Sequence, residues 1–323
     1  MEAIRTAVIG VGYLGKFHAE KYAAAPEADL VAVCDADPET AAAIAEKLGV
    51  EAVTDYRDLI GRVDAVSIVV PTRLHHEVAA TLIDAGIHVL VEKPITATVE
   101  EGKDLVTRAE HNGVTLQVGH LERFNPAMMA LREEVHQPLF IESHRLAPFN
   151  PRGADVNVVL DLMIHDIDLI LDLVGAPIRE LRADGIPVIT EAVDIANARI
   201  KFENGCVANV TASRVSLDAQ RRMRVFEHNT YLAVDFQHRK LSSHRVGDRE
   251  TLTDAGIPEI ESHEKVFDGG DAIREEVHDF LGAIATGRRP TVDGADGLRA
   301  LETALEISRL MTYSQVEFQQ LTD

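Results

Sequence analysis

The chain has 323 residues, of which 46% are hydrophobic and 26% are charged. This composition excludes a disordered or collagen-like chain and fits a globular protein of about two domains. Thirty-two lysines and arginines stand against 53 aspartates and glutamates, which gives a formal charge of -21. Such an excess of negative charge repels nucleic acid and anionic membranes, so we expect neither as a partner. We expect any phosphate-bearing ligand to be held by local geometry.

Cysteine content and hydropathy indicate a soluble protein of the reducing cytoplasm. Cys34 and Cys206 are the only cysteines, too few for a disulfide framework and too far apart for a CxxC pair. The apolar run from Ala7 to Leu14 is interrupted by glycines and lacks the basic start and cleavage pattern of a signal peptide. No apolar stretch reaches the roughly 18 residues that span a bilayer.

The first 120 residues alternate short β-branched runs with longer alanine-rich, amphipathic runs, which is typical of a parallel sheet wound with helices. The predicted strands are Arg5 to Gly10, Asp29 to Asp35, Ala65 to Val70, His88 to Val91 and Thr115 to Gly119. The predicted helices are Leu14 to Ala25, Pro38 to Leu48, His75 to Ala85 and Val99 to Asn112. We therefore predict a doubly wound α/β domain of the Rossmann type over residues 1–122.

After residue 120 the pattern changes to successive strands with few helices between them. Two hairpins are predicted, at Asn204-Gly205, which is a strong turn signal, and at His228-Asn229. The flanking strands are Asp194 to Phe202, Cys206 to Arg214, Arg222 to Glu227 and Tyr231 to Phe236. Helices are predicted at Pro126 to Glu134, Val158 to Leu173, Asp271 to Ala285 and Gly294 to Tyr313. We predict an α+β domain over residues 123–323 with a large, mostly antiparallel sheet, which binds substrate and forms a homodimer or homotetramer through residues 190–246.

A glycine-rich motif joins the first predicted strand to the first helix. In Gly10-Val11-Gly12-Tyr13-Leu14-Gly15 the first glycine permits a tight turn, the second admits a pyrophosphate, and the third allows close helix packing. The N–H groups of the helix N-terminus then bind the phosphates. Asp35 ends the second strand, where a carboxylate accepts hydrogen bonds from the adenosine ribose, and together with Asp37 it repels a 2′-phosphate. The motif therefore predicts NAD rather than NADP.

Glu92-Lys93-Pro94 follows a buried strand at the carboxyl end of the predicted sheet, where such folds place their ligands. There Lys93 is a candidate to donate a hydrogen bond to a reacting hydroxyl or ketone. A solvent-exposed lysine at a strand end fits the sequence equally well. The bond before Pro94 is a candidate cis peptide, since only X-Pro bonds adopt that isomer at low cost.

Asp161 and His165 stand four residues apart in a predicted helix, so both project from one face, and Asp168 follows three residues later. An acid and an imidazole are costly to bury on so apolar a helix unless they are paired or functional. His165 is therefore the candidate general base, with Asp161 beside it. Two alternatives stay open, a solvent-facing stripe and a metal site. Because no second cluster of ligands is visible, we expect no metal.

The predicted junction between the domains contains His120, Arg123 and Asn125. Ligand clefts form at such junctions, so these side chains are candidates to bind substrate. His120 and Arg123 serve equally well as caps of the crossing helix. If the substrate carries phosphate, arginines suit its recognition. The candidate arginines are Arg123, Arg145, Arg152 and Arg214.

In this order the motifs resemble those of the glucose-fructose oxidoreductase, inositol dehydrogenase and rhizopine catabolism family of NAD(P)-dependent sugar dehydrogenases, over essentially the whole chain. The segments that carry the resemblance are Gly10 to Gly15 with His18, Asp35, Pro71-Thr72 with His75, Glu92-Lys93-Pro94, Asp161 and His165. The resemblance implies that Lys93, Asp161 and His165 line the substrate pocket beside the nicotinamide. It also implies that Thr72 and His75 contact or adjoin the dinucleotide. We expect Pro71 and Glu92 to belong to the same cofactor-binding site.

Two segments, Gly119 to Pro126 and Leu160 to Asp168, look like the branch of that family that oxidises the 3-hydroxyl of UDP-N-acetylglucosamine. This implies a UDP-sugar substrate and a ketone product, which a partner aminotransferase converts to an amine for lipid A biosynthesis. Asp155 to Val158 departs from the glycines that many members carry before the catalytic helix. Two other functions stay open: an inositol or free-sugar dehydrogenase, and a non-catalytic NAD-bound sensor.

Overall fold

A computed structural model of the chain describes residues 3–150, 157–247 and 258–322. The chain divides into two units, the first made of Met1–Phe124 and Asp271–Leu301, the second of Asn125–Gly270 and Glu302–Asp323. The chain leaves the first unit after Phe124, and the single domain boundary predicted at residue 122 stays a prediction. The chain then returns to that unit at Asp271, so the first unit is built from two separate stretches of the chain.

Helices occur in both units. They are α1 (Gly15–Ala24), α2 (Pro38–Leu48), α3 (His75–Asp84), α4 (Val99–Asn112), α5 (Pro126–Glu134), α6 (Ile164–Val174), α7 (Ala272–Thr286) and α8 (Gly294–Thr322). Within the described residues, no helix combines the length and the apolar character needed to cross a bilayer.

The first unit contains a six-stranded parallel sheet in the order β3-β2-β1-β4-β5-β6. Its strands are β1 (Ile4–Ile9), β2 (Ala28–Cys34), β3 (Glu51–Val53), β4 (Ala65–Ile68), β5 (His88–Glu92) and β6 (Leu116–Gly119). The strand order reverses between β1 and β4, and ligands of open α/β sheets bind at the carboxyl ends of the strands at such a point. The predicted doubly wound fold is confirmed.

Local signals fix the helix ends in this unit. The Asp37 side chain accepts a hydrogen bond from the backbone N–H of Glu39 and caps α2, and Pro38 occupies its first turn. Thr98 and Glu101 form a reciprocal capping box at the start of α4. These caps satisfy backbone donors that the first helical turn leaves without partners.

The apolar stripe of α7 explains why the chain returns to the first unit. Val277, Phe280 and Leu281 are buried in one core cluster with Ala19 and Tyr22 of α1. Burial of side chains of this size contributes about 1.5–3 kcal/mol each. The helix predicted at Asp271 to Ala285 is therefore present, and it completes the Rossmann unit.

The second unit contains an eight-stranded sheet in the order β14-β13-β12-β11-β7-β10-β9-β8. Its strands are β7 (Phe140–Leu146), β8 (Ile178–Ile186), β9 (Ile195–Phe202), β10 (Val207–Ser213), β11 (Gln220–Glu227), β12 (Thr230–Asp235), β13 (Lys240–Val246) and β14 (Ile260–Val266). Neighbouring strands are antiparallel except β7 and β10. Both predicted hairpins form, with Gly205 at φ +92° and Asn229 at φ +61°. The predicted fold class is confirmed.

Candidate functional site

The loop after β1 makes a tight turn that requires glycine at two positions. Gly10 has φ +85°, and a Cβ there would lie 2.5 Å from the carbonyl oxygen of Val69. A Cβ on Gly15 would lie 1.8 Å from the carbonyl oxygen of Gly10. Gly12 differs, because in the described part of the chain no atom beyond its two neighbouring residues lies within 4 Å of the position of its Cβ. The backbone at Gly12 is therefore open to close approach by a ligand, as a pyrophosphate requires.

Two further residues of the motif, Tyr13 and Leu14, lie between this turn and α1. The Tyr13 side chain is 65% exposed, and its ring meets that of Phe17 edge-on at a centroid distance of 6.3 Å. The Lys16 ammonium lies 5.5 Å from the Tyr13 ring centroid, within the range of a cation–π contact. This arrangement leaves an aromatic face and a positive charge at the N-terminus of α1.

Asp35 lies beside the turn at the carboxyl end of β2. Its carboxylate accepts hydrogen bonds from the backbone N–H groups of Val11 at 2.9 Å and Asp37 at 3.0 Å. A cavity of about 520 Å³ adjoins it, and Gly12, Asp35 and Pro71 are among the lining residues. An acid that lines a largely apolar cavity, next to an open glycine turn, fits the adenosine half of a dinucleotide.

His75 begins α3 and is buried. Its Nδ1 lies 2.9 Å from the carbonyl oxygen of Pro94, and its Nε2 lies 2.9 Å from that of Val70. Burial lowers the pKa of the ring, against the pull of the two carbonyls. The imidazole therefore joins the loops after β4 and β5, and both ring nitrogens are engaged by the protein. The predicted contact of His75 and its neighbour Thr72 with the dinucleotide stays a prediction.

Lys93 follows β5 and is half-buried, and the peptide bond to Pro94 is cis, as predicted. The Glu92 carboxylate is buried, and it lies 3.1 Å from Nε2 of His18. A Cβ on Gly119 of β6 would lie 3.0 Å from this carboxylate, so the bare backbone there makes room for it. The Glu92 side chain therefore occupies the interior of the unit, and its predicted contact with the cofactor stays a prediction.

Asp161 lies in a single π-helical turn, Val159–Met163, that runs directly into α6, and His165 lies in the first turn of α6. Both side chains are half-buried, whereas Asp168 is buried. Turns of this kind are frequent at functional sites. The sequence predicts a continuous helix here, because its apolar periodicity does not reveal the extra residue of the π turn.

The residues of the predicted junction differ in their surroundings. His120 and Arg123 are buried, at 1% and 5% exposure. The Asn125 side chain accepts a hydrogen bond from the backbone N–H of Ala127 at 3.1 Å and donates one to the carbonyl oxygen of Phe236 at 3.2 Å. Asn125 is thus the N-cap of α5, a role that the sequence left open for His120 and Arg123. Substrate binding by these residues stays a prediction.

Two of the candidate phosphate-binding arginines are buried in ion pairs of the second unit. Nε of Arg145 donates to Asp166 at 2.5 Å, and Nε of Arg214 donates to Asp194 at 2.8 Å. Both arginines are 3% exposed. We therefore assign them to the interior of the unit rather than to a substrate phosphate. A third candidate, Arg152, lies outside the described residues.

Comparison with known protein families shows to which family the chain belongs. The model of an oxidoreductase family with an NAD-binding Rossmann fold, GFO/IDH/MocA, matches residues 4–120, and that of the GFO/IDH/MocA C-terminal domain matches residues 137–229. The chain belongs to the GFO/IDH/MocA family. This confirms the resemblance drawn from the motifs. The protein is an NAD-dependent oxidoreductase, and its open glycine turn and Asp35 fit that cofactor.

Relatives of this GFO/IDH/MocA member act on sugars and polyols. The UDP-N-acetylglucosamine 3-dehydrogenase of Acidithiobacillus ferrooxidans is 42% identical over 305 residues, 94% of this chain and 96% of its own. A solved structure of that enzyme has a TM-score of 0.90 and covers 96% of this chain and 98% of its own. The myo-inositol 2-dehydrogenase of Thermotoga maritima is 27% identical over 317 residues, 92% of this chain and 93% of its own.

The first unit of this GFO/IDH/MocA chain contains Lys93, and the second contains Asp161 and His165. Their predicted meeting beside one nicotinamide stays a prediction. Sequence reasoning missed Glu276 of α7, which is fully buried near Glu92. One signal was present, since Glu276 falls on the helical stripe that also carries Ile273 and Phe280.

Proposed function

We propose that this protein oxidises the 3-hydroxyl of UDP-N-acetylglucosamine to a ketone, with NAD as the hydride acceptor. The observation that carries the proposal is the 42% identity to the Acidithiobacillus ferrooxidans UDP-N-acetylglucosamine 3-dehydrogenase over 94% of this chain. The match extends well beyond the segment of the cofactor-binding domain, and this extent supports a shared substrate.

Three side chains carry the proposed chemistry. His165 takes the proton of the 3-hydroxyl as general base, a task suited to an imidazole at neutral pH. Lys93 donates a hydrogen bond to the same oxygen and stabilises the negative charge that develops there. Asp161 orients the imidazole and supports its positive charge. The substrate thus loses a proton from oxygen and a hydride from C3, which leaves the ketone.

NAD supplies the hydride chemistry when it is bound. For this cofactor, the backbone of Gly10 to Gly15 and the N-terminus of α1 hold the pyrophosphate, and Tyr13 and Leu14 belong to the same turn. Asp35 accepts the adenosine ribose hydroxyls. Pro71 and Thr72 border the dinucleotide, with Lys93 at the nicotinamide end. His120, Arg123 and Asn125 contact the UDP-sugar.

The product chemistry indicates the next step. A ketone on an N-acetylated sugar is a substrate for an aminotransferase, and we propose that the resulting amine enters lipid A. We place the enzyme in the cytoplasm, as a homodimer or homotetramer that associates through residues 190–246 of the second sheet.

An inositol or free-sugar dehydrogenase is the second candidate. The 27% identity to the myo-inositol 2-dehydrogenase of Thermotoga maritima over 92% of this chain favours it over unrelated chemistry. The lower identity places it after the UDP-sugar enzyme.

The test measures the reduction of NAD with a panel of UDP-sugars, myo-inositol and simple hexoses. The absorbance of NADH monitors the reaction. We expect turnover with UDP-N-acetylglucosamine, and NMR of the product locates the ketone at C3. The Lys93→Met variant is the control, because it should bind NAD and fail to reduce it. Turnover with myo-inositol alone would establish the second candidate, and tight NAD binding without turnover on any substrate would favour a sensor.

A further inference from the structure

A chain of buried polar side chains lies behind the strand end that precedes Lys93. The Tyr22 hydroxyl is 2.9 Å from Oγ of Ser67, which is 3.3 Å from Nδ1 of His18. Nε2 of His18 is 3.1 Å from Oε1 of Glu92, and Oε2 of Glu92 accepts the backbone N–H of Lys93 at 3.3 Å. A hydrogen-bonded network of this kind fixes its members in one arrangement. The Lys93 backbone is thereby tied to α1.

The loop is held on its other side as well. The carbonyl oxygen of Pro94 lies 2.9 Å from Nδ1 of His75, at the start of α3. With that contact in place, Glu92 is the anchor on the strand side of Lys93. A change in the Glu92 carboxylate therefore acts directly on the position of the lysine.

Glu276 brings a second carboxylate to this network. It is 0% exposed, and within the described part of the chain neither of its side-chain oxygens has a hydrogen-bond partner. One carboxylate oxygen of Glu276, one of Glu92 and one ring nitrogen of His18 all lie within 4.8 Å of one another. Two carboxylates this close in a buried site cannot both ionise without a large penalty.

The surroundings offer Glu276 little positive charge. The titratable groups that face it are Tyr22 and His18 of α1, Glu92 of β5 and Asp279 of α7. Gln117 of β6 is neutral: its Nε2 donates to the backbone oxygen of Glu276 at 3.1 Å, and its buried Oε1 lacks a donor among the described residues. Burial, followed by the charges of Glu92 and Asp279, holds the pKa of Glu276 well above its usual range.

We propose that Glu276 is a neutral carboxylic acid in the working enzyme and acts as a positioning residue for Lys93. With a proton on Glu276, the pair of carboxyl groups carries one negative charge, on Glu92. The Glu92 carboxylate therefore keeps both His18 and the Lys93 amide as hydrogen-bond donors. The O–H of the acid is also a candidate donor for Oε1 of Gln117, which lacks one among the described residues. The consequence for turnover rests on the proposed function of Lys93, whereas the protonation state does not.

The first test measures unfolding in urea against pH for the wild type and Glu276→Gln. Above about pH 4.3 the unfolded chain releases the Glu276 proton and the folded chain keeps it, so rising pH favours unfolding of the wild type only. The unfolding constant of the wild type relative to the variant should therefore rise roughly tenfold per pH unit until the raised pKa is reached. Glu275→Gln, one residue away and paired with Arg274 at the surface, is the control and should match the wild type. A flat or falling ratio would overturn the proposal.

The second test asks for the proton directly. At pH 7, the infrared difference spectrum between the wild-type holoenzyme and Glu276→Gln should contain the carbonyl stretch of a protonated carboxylic acid. The difference spectrum between the wild type and Glu275→Gln should lack this band, because that variant keeps the protonated Glu276. Elemental analysis of the same samples tests the alternative that a divalent metal ion, rather than a proton, lies between Glu276, Glu92 and His18. One equivalent of a divalent metal in the wild type that is absent from Glu276→Gln would overturn the assignment of a proton.

The third test addresses positioning. The alkaline loss of kcat in the wild type should move to higher pH in Glu276→Gln, with the KM for NAD unchanged. If the stability and infrared results hold but this alkaline limb does not move, the positioning role is overturned. If no substrate of the panel is turned over, the proposed function fails, and the first two tests still decide the protonation state.

Discussion

The carboxylate of Asp35 accepts a hydrogen bond of 2.9 Å from the backbone N–H of Val11, which ties the end of β2 to the glycine turn after β1. A carboxylate fixed in this way is ready to accept the adenosine ribose hydroxyls. Asp35→Ser removes charge-assisted hydrogen bonds worth about 1.5–3 kcal/mol, so we expect the KM for NAD to rise roughly 10- to 100-fold. The preference for NAD over NADP should shrink, because the 2′-phosphate no longer meets this negative charge.

Steady-state kinetics with both cofactors check the Asp35 prediction. Asp58→Ser removes an exposed carboxylate from a nearby turn and should leave both KM values unchanged. An unaltered KM for NAD in Asp35→Ser would place the ribose elsewhere.

Alanine at two glycines of the turn should separate folding from cofactor binding. A Cβ on Gly15 would lie 1.8 Å from the carbonyl oxygen of Gly10, so Gly15→Ala should cost more than about 4 kcal/mol of unfolding free energy. Among the described residues, a Cβ on Gly12 meets no atom within 4 Å beyond its two chain neighbours, so Gly12→Ala should change stability by less than about 0.5 kcal/mol. It should nevertheless weaken NAD binding, because the methyl group blocks the pyrophosphate.

Thermal unfolding and NAD titration of the two glycine variants give the answer. Equal losses of stability in both would contradict the prediction, as would full NAD affinity in Gly12→Ala.

Replacement of the proposed base should slow the chemical step while leaving the cofactor site intact. His165→Ala is expected to lower the rate of NAD reduction roughly 100-fold or more, since a general base typically contributes at least that factor. The affinity for NAD should remain that of the wild type. Stopped-flow measurement of NADH formation across neutral pH checks this, and a near-normal rate there would remove His165 from the role.

The buried pair of Arg145 and Asp166 should matter far more to stability than an exposed pair. Arg145→Ala removes the charged partner of the buried Asp166 carboxylate, which keeps the Ser143 hydroxyl as a donor, and we expect a loss of about 3–5 kcal/mol. Arg5→Ala breaks an exposed pair with Asp64 and should cost less than about 1 kcal/mol. Equilibrium denaturation compares the two, and similar small losses would contradict the prediction.

Asp194 should make the free energy of unfolding of the second unit decrease at acid pH. Burial raises the pKa of its carboxyl, but hydrogen bonds from the backbone N–H groups of residues 188–190 and from Arg214 outweigh burial, so the pKa lies well below its usual range. A depressed pKa stabilises the folded state above the pKa of the unfolded chain, about 3.9, and this contribution is lost as pH falls toward the folded value.

The variant Asp194→Asn tests this dependence. It should be less stable than the wild type by about 3 kcal/mol at pH 7, and the difference should narrow below about pH 4. Denaturation at several pH values measures it. A difference that widens in acid would contradict the sign of the shift.

The sequence by itself determined the helices, most strands of the first sheet and the cofactor turn. It did not predict the strands β3, β7, β8, β13 and β14. The alternation of β-branched and amphipathic runs, the capped helix ends and the glycine spacing are local properties, because backbone conformation and one-sided burial are set by neighbours a few residues away. For that reason Gly10, Gly12, Gly15 and Asp35 were named from the sequence, and the structure places the carboxylate of Asp35 against the turn.

Only the tertiary structure decided which side chains share an interior. Glu276 lies near Glu92 because α7 returns to the first unit, and Arg145 is committed to Asp166 because β7 packs beside α6. The charge state and partners of such groups depend on elements distant in the chain. No local pattern encodes that proximity, since it is set by the packing of complementary apolar faces, which the sequence specifies only through the whole fold.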